Sequence, residues 1–113
     1  MSQPAMNTAA FAEMKELMGE SFTDIISMCL QTLPEQLAEI ETAIQNQDAD
    51  ILFKTSHKMK SSCGSIGAFG LAEKIEVIEL IGRDGSTQGA NDALAEIQNS
   101  LTDVLSTLKK EVV

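Results

Sequence analysis

Apolar residues in this chain recur at steps of three and four, with almost no alternation at period two. The intervening positions are rich in Ala, Glu, Gln and Lys, which favour helix over strand. Five helical segments follow from the pattern, near residues 10–18, 21–46, 49–66, 69–82 and 90–110. In the first, Phe11, Met14, Leu17 and Met18 share a face, Asn7 or Thr8 can cap the start, and Gly19 ends it. In the second, Ser21 and Asp24 form an S-x-x-D capping box ahead of a long stripe: Phe22, Ile25, Ile26, Cys29, Leu30, Leu33, Leu37, Ile40 and Ile44. Pro34 falls inside that stripe, which continues past it, so a kink near Leu30–Leu33 is expected rather than a break.

A short polar link with Asp48 as cap leads to a helix carrying Leu52, Thr55, Met59, Ser62, Cys63 and Ile66 on one face. Leu71, Ala72, Ile75, Ile78 and Ile81 mark the next helix, and a Gly- and Ser-bearing turn spans Gly82 to Gly89. The last helix shows Ala90, Leu94, Ile97, Leu101, Val104, Leu105 and Leu108, with Lys109 and Lys110 suited to its negative end. Four long amphipathic helices with short links predict an all-α fold, an antiparallel up-and-down four-helix bundle with a short additional N-terminal helix. Residues 1–8 are read as a flexible lead-in and 9–113 as a single domain, since 113 residues leave no room for a second core.

Charge and composition narrow the functions such a bundle can serve. The net charge of -9 opposes binding to nucleic acid and to anionic lipid, and no apolar run approaches the roughly 20 residues that cross a bilayer. No basic-then-apolar leader opens the chain, so the expected location is the cytoplasm. Cys29 and Cys63 both fall at apolar helical positions and are read as free thiols. With no Trp or Tyr, stacking platforms for bases and aromatic cages for cations are missing.

One histidine remains as candidate chemistry. His57 lies about 200° around the helix from Met59, the centre of the apolar stripe, and so faces away from the core. Phe53, Lys54, Lys60, Ser61 and Gly64 share or flank its face. No basic residue occurs between Lys15 and Lys54, yet Lys54, Lys58 and Lys60 crowd around His57, predicting an exposed cationic patch on an acidic protein. Imidazole is a competent nucleophile near neutral pH without an assisting base. A phosphoryl group placed on it would add about two negative charges, which Lys60, one turn along, is placed to offset. Gly64 is costly inside a helix, by up to about 1 kcal/mol relative to Ala. Its missing β-carbon would let a partner approach the imidazole.

The run His57-Lys58-Met59-Lys60-Ser61-Ser62-Cys63-Gly64-Ser65-Ile66-Gly67-Ala68 resembles the motif of the histidine phosphotransfer (HPt) family, commonly H-x-(L/I/M)-K-G-x-x-x-x-(L/I/V)-G. Ser61 stands where the family usually has Gly. The long preceding helix with Pro34, and the following helix with Glu76 and Arg83, extend the resemblance over roughly residues 11–110. It implies a phosphoacceptor at His57 Nε2, charge stabilisation by Lys60, and docking of receiver domains on Phe53, Lys54, Lys58, Ser61 and Gly64. The partners it implies are receivers of hybrid sensor kinases and of response regulators. It also implies no metal or cofactor on this chain, the Mg²⁺ belonging to the receiver. No G-x-x-x-x-G-K-[ST] loop for direct use of ATP is found. The initiating Met and the complete bundle point to a free-standing monomer, against a domain excised from a larger kinase or a dimerising relay protein.

Other readings compete with this one. A non-catalytic helical adaptor would need no role for His57. An enzyme with His57 as general base would need an orienting carboxylate and a concave pocket. A metal site from His57, Cys29 and Cys63 is opposed by the cysteines' core-facing positions and by the lack of C-x-x-C or H-x-x-x-H spacing.

Overall fold

The apolar stripes find one another in a closed ring of helices. The computed structural model describes residues 3–112. It contains α1 (Thr8–Met18), α2 (Phe22–Gln45), α3 (Ala49–Ser65), α4 (Phe69–Arg83) and α5 (Ala90–Lys109), and no strand among the described residues. Helix α3 packs on α2 and α4, and α5 closes the ring against α4 and α2. The core is built from Ile26, Leu33 and Ile40 of α2, Leu52 and Met59 of α3, Leu71, Ile75 and Ile78 of α4, and Ile97, Val104 and Leu108 of α5, all fully buried. Each such side chain contributes about 1.5–3 kcal/mol by leaving water. No helix among the described residues is long and apolar enough to cross a membrane.

Local chemistry sets the helix ends. The Asn7 side chain accepts from the Ala10 amide at 2.9 Å to start α1, and the Asp48 side chain accepts from the Ile51 amide at 3.0 Å to start α3. The expected capping box at Ser21 and Asp24 does not form. The chain enters α2 through a 3₁₀ turn, Gly19–Ser21, so Ser21 already has helical backbone angles and its hydroxyl caps nothing. Helix α2 runs unbroken through Pro34, with the Leu30 carbonyl deprived of its usual donor four residues on. Leu17, expected to share the packed face of α1, is 87% exposed; Phe11 is the buried residue of that helix. Gly82, read as the start of a turn, is instead buried in the last turn of α4.

The expectation of a loose lead-in over residues 1–8 needs correction from Gln3 onward; residues 1 and 2 lie outside the described residues. Helix α4 has no side-chain cap of its own; the N-terminal segment supplies one acceptor in its place and a donor to the turn before it. The Leu71 amide donates to the Ala5 carbonyl at 3.4 Å, the Asn7 amide donates to the Gly67 carbonyl at 2.8 Å, and Met6 is buried. Gly70 makes this possible: a β-carbon there would lie 2.1 Å from the Pro4 carbonyl oxygen. The segment therefore straps the α3–α4 turn, and α1 is held in addition by an ion pair of Lys15 with Glu111 at 2.7 Å.

Gly70→Ala is expected to displace the strap and lower stability by about 1–3 kcal/mol. In a chain lacking residues 1–6 the obstacle is gone, so the same substitution becomes neutral or slightly stabilising through helix propensity. Thermal unfolding of the four proteins of this cycle measures the coupling; additive effects would contradict the strap.

Candidate functional site

His57 sits in the middle of α3, on the side opposite the buried Leu52, Met59 and Cys63, with 60% of its side chain exposed. Its Nδ1 lies 2.8 Å from Oε2 of Glu79, a residue of α4 whose side chain is only 7% exposed. The other oxygen of that carboxylate, Oε1, lies 2.5 Å from Lys60 Nζ, and Lys60 is also 3.6 Å from Glu76 Oε1. One buried carboxylate thus holds both the imidazole and the lysine three residues further along the same helix.

Burial by itself pushes the Glu79 carboxyl up. Lys60 and then His57 outweigh it and hold the group below the ordinary carboxylate range. Lys60 is raised in turn, chiefly by Glu79, against a desolvation effect of opposite sign. The pair is therefore carboxylate and ammonium at neutral pH. An ionised carboxylate only accepts hydrogen bonds, so Nδ1 must carry the proton that joins it to Oε2. In the neutral imidazole this leaves the lone pair on Nε2, the nitrogen distal to the backbone.

The remaining residues singled out in the sequence are arranged less centrally. The Phe53 ring is half-buried beside the imidazole, with centroids 6.2 Å apart. The expected cationic patch is corrected: each of its lysines faces a carboxylate. Lys54 pairs with Asp50 at 3.0 Å, Lys58 reaches across to Glu39 of α2 at 3.8 Å, and Lys60 is held by Glu79 and Glu76. Lys54 and Lys58 make their contacts away from the imidazole, and Lys60 alone joins it through a shared partner. Ser61 and Gly64 are exposed, and a β-carbon on Gly64 would meet nothing within 4 Å. Among the described residues no three His, Cys, Asp or Glu side chains cluster closely enough to hold a metal ion. Cys29 and Cys63 are free thiols; burial, with a lesser effect of Cys29, pushes the Cys63 thiol up to about 12.

Glu79 is the residue that the sequence reading missed. The signal was a break in pattern: Glu79 falls among Leu71, Ile75, Ile78 and Gly82, on the buried side of α4, where a charge must find a partner.

Because the carboxyl of Glu79 is held low in the folded state, its pairing adds stability above the ordinary carboxylate range and loses it as pH falls through the lower, folded value. Unfolding free energy should therefore drop on acidification, and Glu79→Gln should flatten that part of the profile. Urea unfolding across the acid range checks this; identical profiles would contradict the charge state assigned to Glu79.

The comparisons with known proteins bear on the fold and the family. In solved structures the chain resembles histidine-containing phosphotransfer protein B (HptB) from Pseudomonas aeruginosa PAO1, with a TM-score of 0.91 and 24% identity over 98% of this chain and 96% of that one. It also resembles the HPT domain of the Hpt sensor hybrid histidine kinase from Shewanella, with a TM-score of 0.77 and 19% identity over 96% and 93% of the two chains. At these identities the likeness speaks for the fold. No curated protein matches in sequence. The sequence model of the Hpt domain matches residues 24–107, from the first turn of α2 to the last of α5 and through the whole His57 helix. The chain accordingly belongs to the Hpt domain family, the phosphotransfer proteins of phosphorelays, whose partners are receiver domains.

Proposed function

We propose that the protein takes a phosphoryl group on Nε2 of His57 from the aspartyl phosphate of a receiver, such as that of a hybrid sensor kinase, and passes it to the receiver of a response regulator. The observation that carries this reading is the Glu79 carboxylate on Nδ1, which leaves the lone pair on Nε2 of an imidazole whose side chain is largely exposed. In the transfer the Nε2–P bond forms as the P–O bond to the receiver aspartate breaks, and the bonding pair returns to the aspartate carboxylate. The imidazole becomes a cation in the process, with Nδ1 still protonated. Glu79 faces that developing charge at hydrogen-bond distance, as the buried acid does behind a catalytic histidine.

Little covalent work is left for this chain, since phosphoryl transfer depends mainly on alignment and on neutralising the equatorial oxygens. The Mg²⁺ for the latter is assigned to the receiver. Lys60 is assigned the charge stabilisation on this side: it is ionised and three residues from His57, and it is only partly exposed. An imidazole with most of its surface open suits a protein partner better than an enclosed small substrate. Phe53, Lys54, Lys58, Ser61 and Gly64 surround it as the docking face. The protein is proposed to act as a monomer in the cytoplasm.

Phosphotransfer from a ³²P-labelled receiver tests the assignment. Label is expected to appear as an acid-labile, base-stable adduct and to be lost in His57→Gln. Glu79→Gln should slow transfer on the order of 10–100-fold, by analogy with the loss of a carboxylate that orients a metal-ligating histidine. Lys60→Ala should slow it roughly 10–100-fold, in line with about 1.5–3 kcal/mol for a hydrogen bond to a charged group. Label surviving His57→Gln would place the site elsewhere, and a wild-type chain that never accepts label would leave an adaptor role.

The open space around Gly64 separates docking from folding. Gly64→Ala meets no obstacle and should stabilise the helix by up to about 1 kcal/mol. Gly64→Gln should fold as well but obstruct the receiver, lowering the transfer rate without a matching loss of melting temperature. Normal transfer by Gly64→Gln would remove Gly64 from the docking face.

A further inference from the structure

Helices α3 and α4 also meet backbone to backbone, at Gly82. A β-carbon on Gly82 would lie 2.7 Å from the Phe53 amide nitrogen, 3.0 Å from the Ala49 carbonyl oxygen and 3.1 Å from Phe53 Cα. All three are backbone atoms, so no rotation of a side chain could make room. Any larger residue must push the two helices apart. A glycine in the last turn of a helix costs about 1 kcal/mol in propensity, and here the close crossing is what its absent side chain permits.

The crossing stands in a fixed relation to the site. Gly82 is three residues after Glu79 on α4, and Phe53 is four residues before His57 on α3. The helices run antiparallel, so the backbone contact lies about one turn, roughly 5 Å, from the bond between Nδ1 and Oε2. Glu79 is buried in the same seam, and its carboxylate must span the gap to His57 and Lys60 together. A hydrogen bond of 2.8 Å weakens steeply when its donor and acceptor are drawn apart by a few tenths of an ångström or turned off line.

We propose that Gly82 is a positioning residue for the phosphoacceptor: by letting α4 touch the α3 backbone, it sets the separation at which Glu79 reaches Nδ1 and fixes the His57 tautomer. The inference rests on the reading of His57 as phosphoacceptor for its functional meaning, but the tautomer itself is measurable without any transfer. Widening the seam should release the imidazole to a mixture of Nδ1–H and Nε2–H forms, and the Nε2–H form has no lone pair for attack.

His57 is the only histidine, so ¹⁵N NMR of histidine-labelled, unphosphorylated protein reads the tautomer without assignment. The spectrum is taken at alkaline pH, where imidazole is neutral. Wild type is expected to show the Nδ1–H form alone. Gly82→Ala is expected to show a mixture, with receiver-to-His57 transfer reduced in proportion to the Nδ1–H fraction lost. Glu79→Asp, which shortens the reach by one methylene and leaves the crossing intact, should give a similar mixture. Val104→Ala, a core truncation in α5, controls for lost stability and should keep the wild-type spectrum. A Gly82→Ala protein that retains the single tautomer, however much its melting temperature falls, would overturn the proposal and make Gly82 a packing residue only. If Gly82→Ala does not fold, Glu79→Asp decides: a mixture supports a reach set by helix separation, and an unchanged tautomer overturns it. Should wild type show the single tautomer yet accept no phosphoryl group from any receiver, the positioning stands and the phosphotransfer reading fails.

Discussion

The carboxylate of Glu79, buried between α3 and α4 and answered on one oxygen by His57 and on the other by Lys60, is the interaction on which the rest of the site depends. A charge in such a seam is tolerated only when it is paired and hydrogen-bonded. Both partners are drawn inward by it, while the far side of the imidazole stays in water. The arrangement gives a lone histidine two properties it would lack on an isolated helix: a defined tautomer and a counter-charge for the cation formed when Nε2 bonds to phosphorus. It costs less than a fully buried ion pair would, because Lys60 is part-exposed and His57 mostly so.

The bundle can be read as the scaffold that keeps this carboxylate in place. Helix α4 is fastened at its beginning by the strap over Gly70 and at its end by the backbone contact at Gly82. Between these points Leu71, Ile75 and Ile78 bind it to the core, and Glu79 follows on the same inward side. The acid thus sits on a rigid element rather than a loop, which limits the wandering that would erode alignment in the transfer step. Beside His57 on α3, Asp50 and Glu39 hold Lys54 and Lys58, so the basic residues there form a mixed-charge rim rather than a positive field.

The helix pattern was legible because burial and period coincide: Leu52, Met59 and Cys63 inward fixed His57 outward, and the positions of the five helices agree with the structure to within a few residues. The caps at Asn7 and Asp48 were legible for the same local reason. What escaped was set by contacts between segments distant in sequence. Ser21 failed as a cap because a 3₁₀ turn preceded it, and the lead-in was held by α4, some 65 residues further along, at a glycine whose significance lies in its neighbour. Glu79 was visible as a charge on an apolar face but not as the partner of His57, since only the antiparallel register of α3 and α4 brings the two together. The lysines misled by counting as a patch, because their carboxylates lie on other turns and other helices.

The central claim is that Glu79 directs chemistry to the distal nitrogen of His57, and the most direct measurement is the site of the N–P bond. The purified protein would be phosphorylated with phosphoramidate, a small donor that needs no receiver. ¹⁵N and ³¹P NMR would then identify which ring nitrogen is bonded to phosphorus. The account predicts a single phosphohistidine with phosphorus on Nε2 of His57. Phosphorus on Nδ1, or on any other residue, would contradict it.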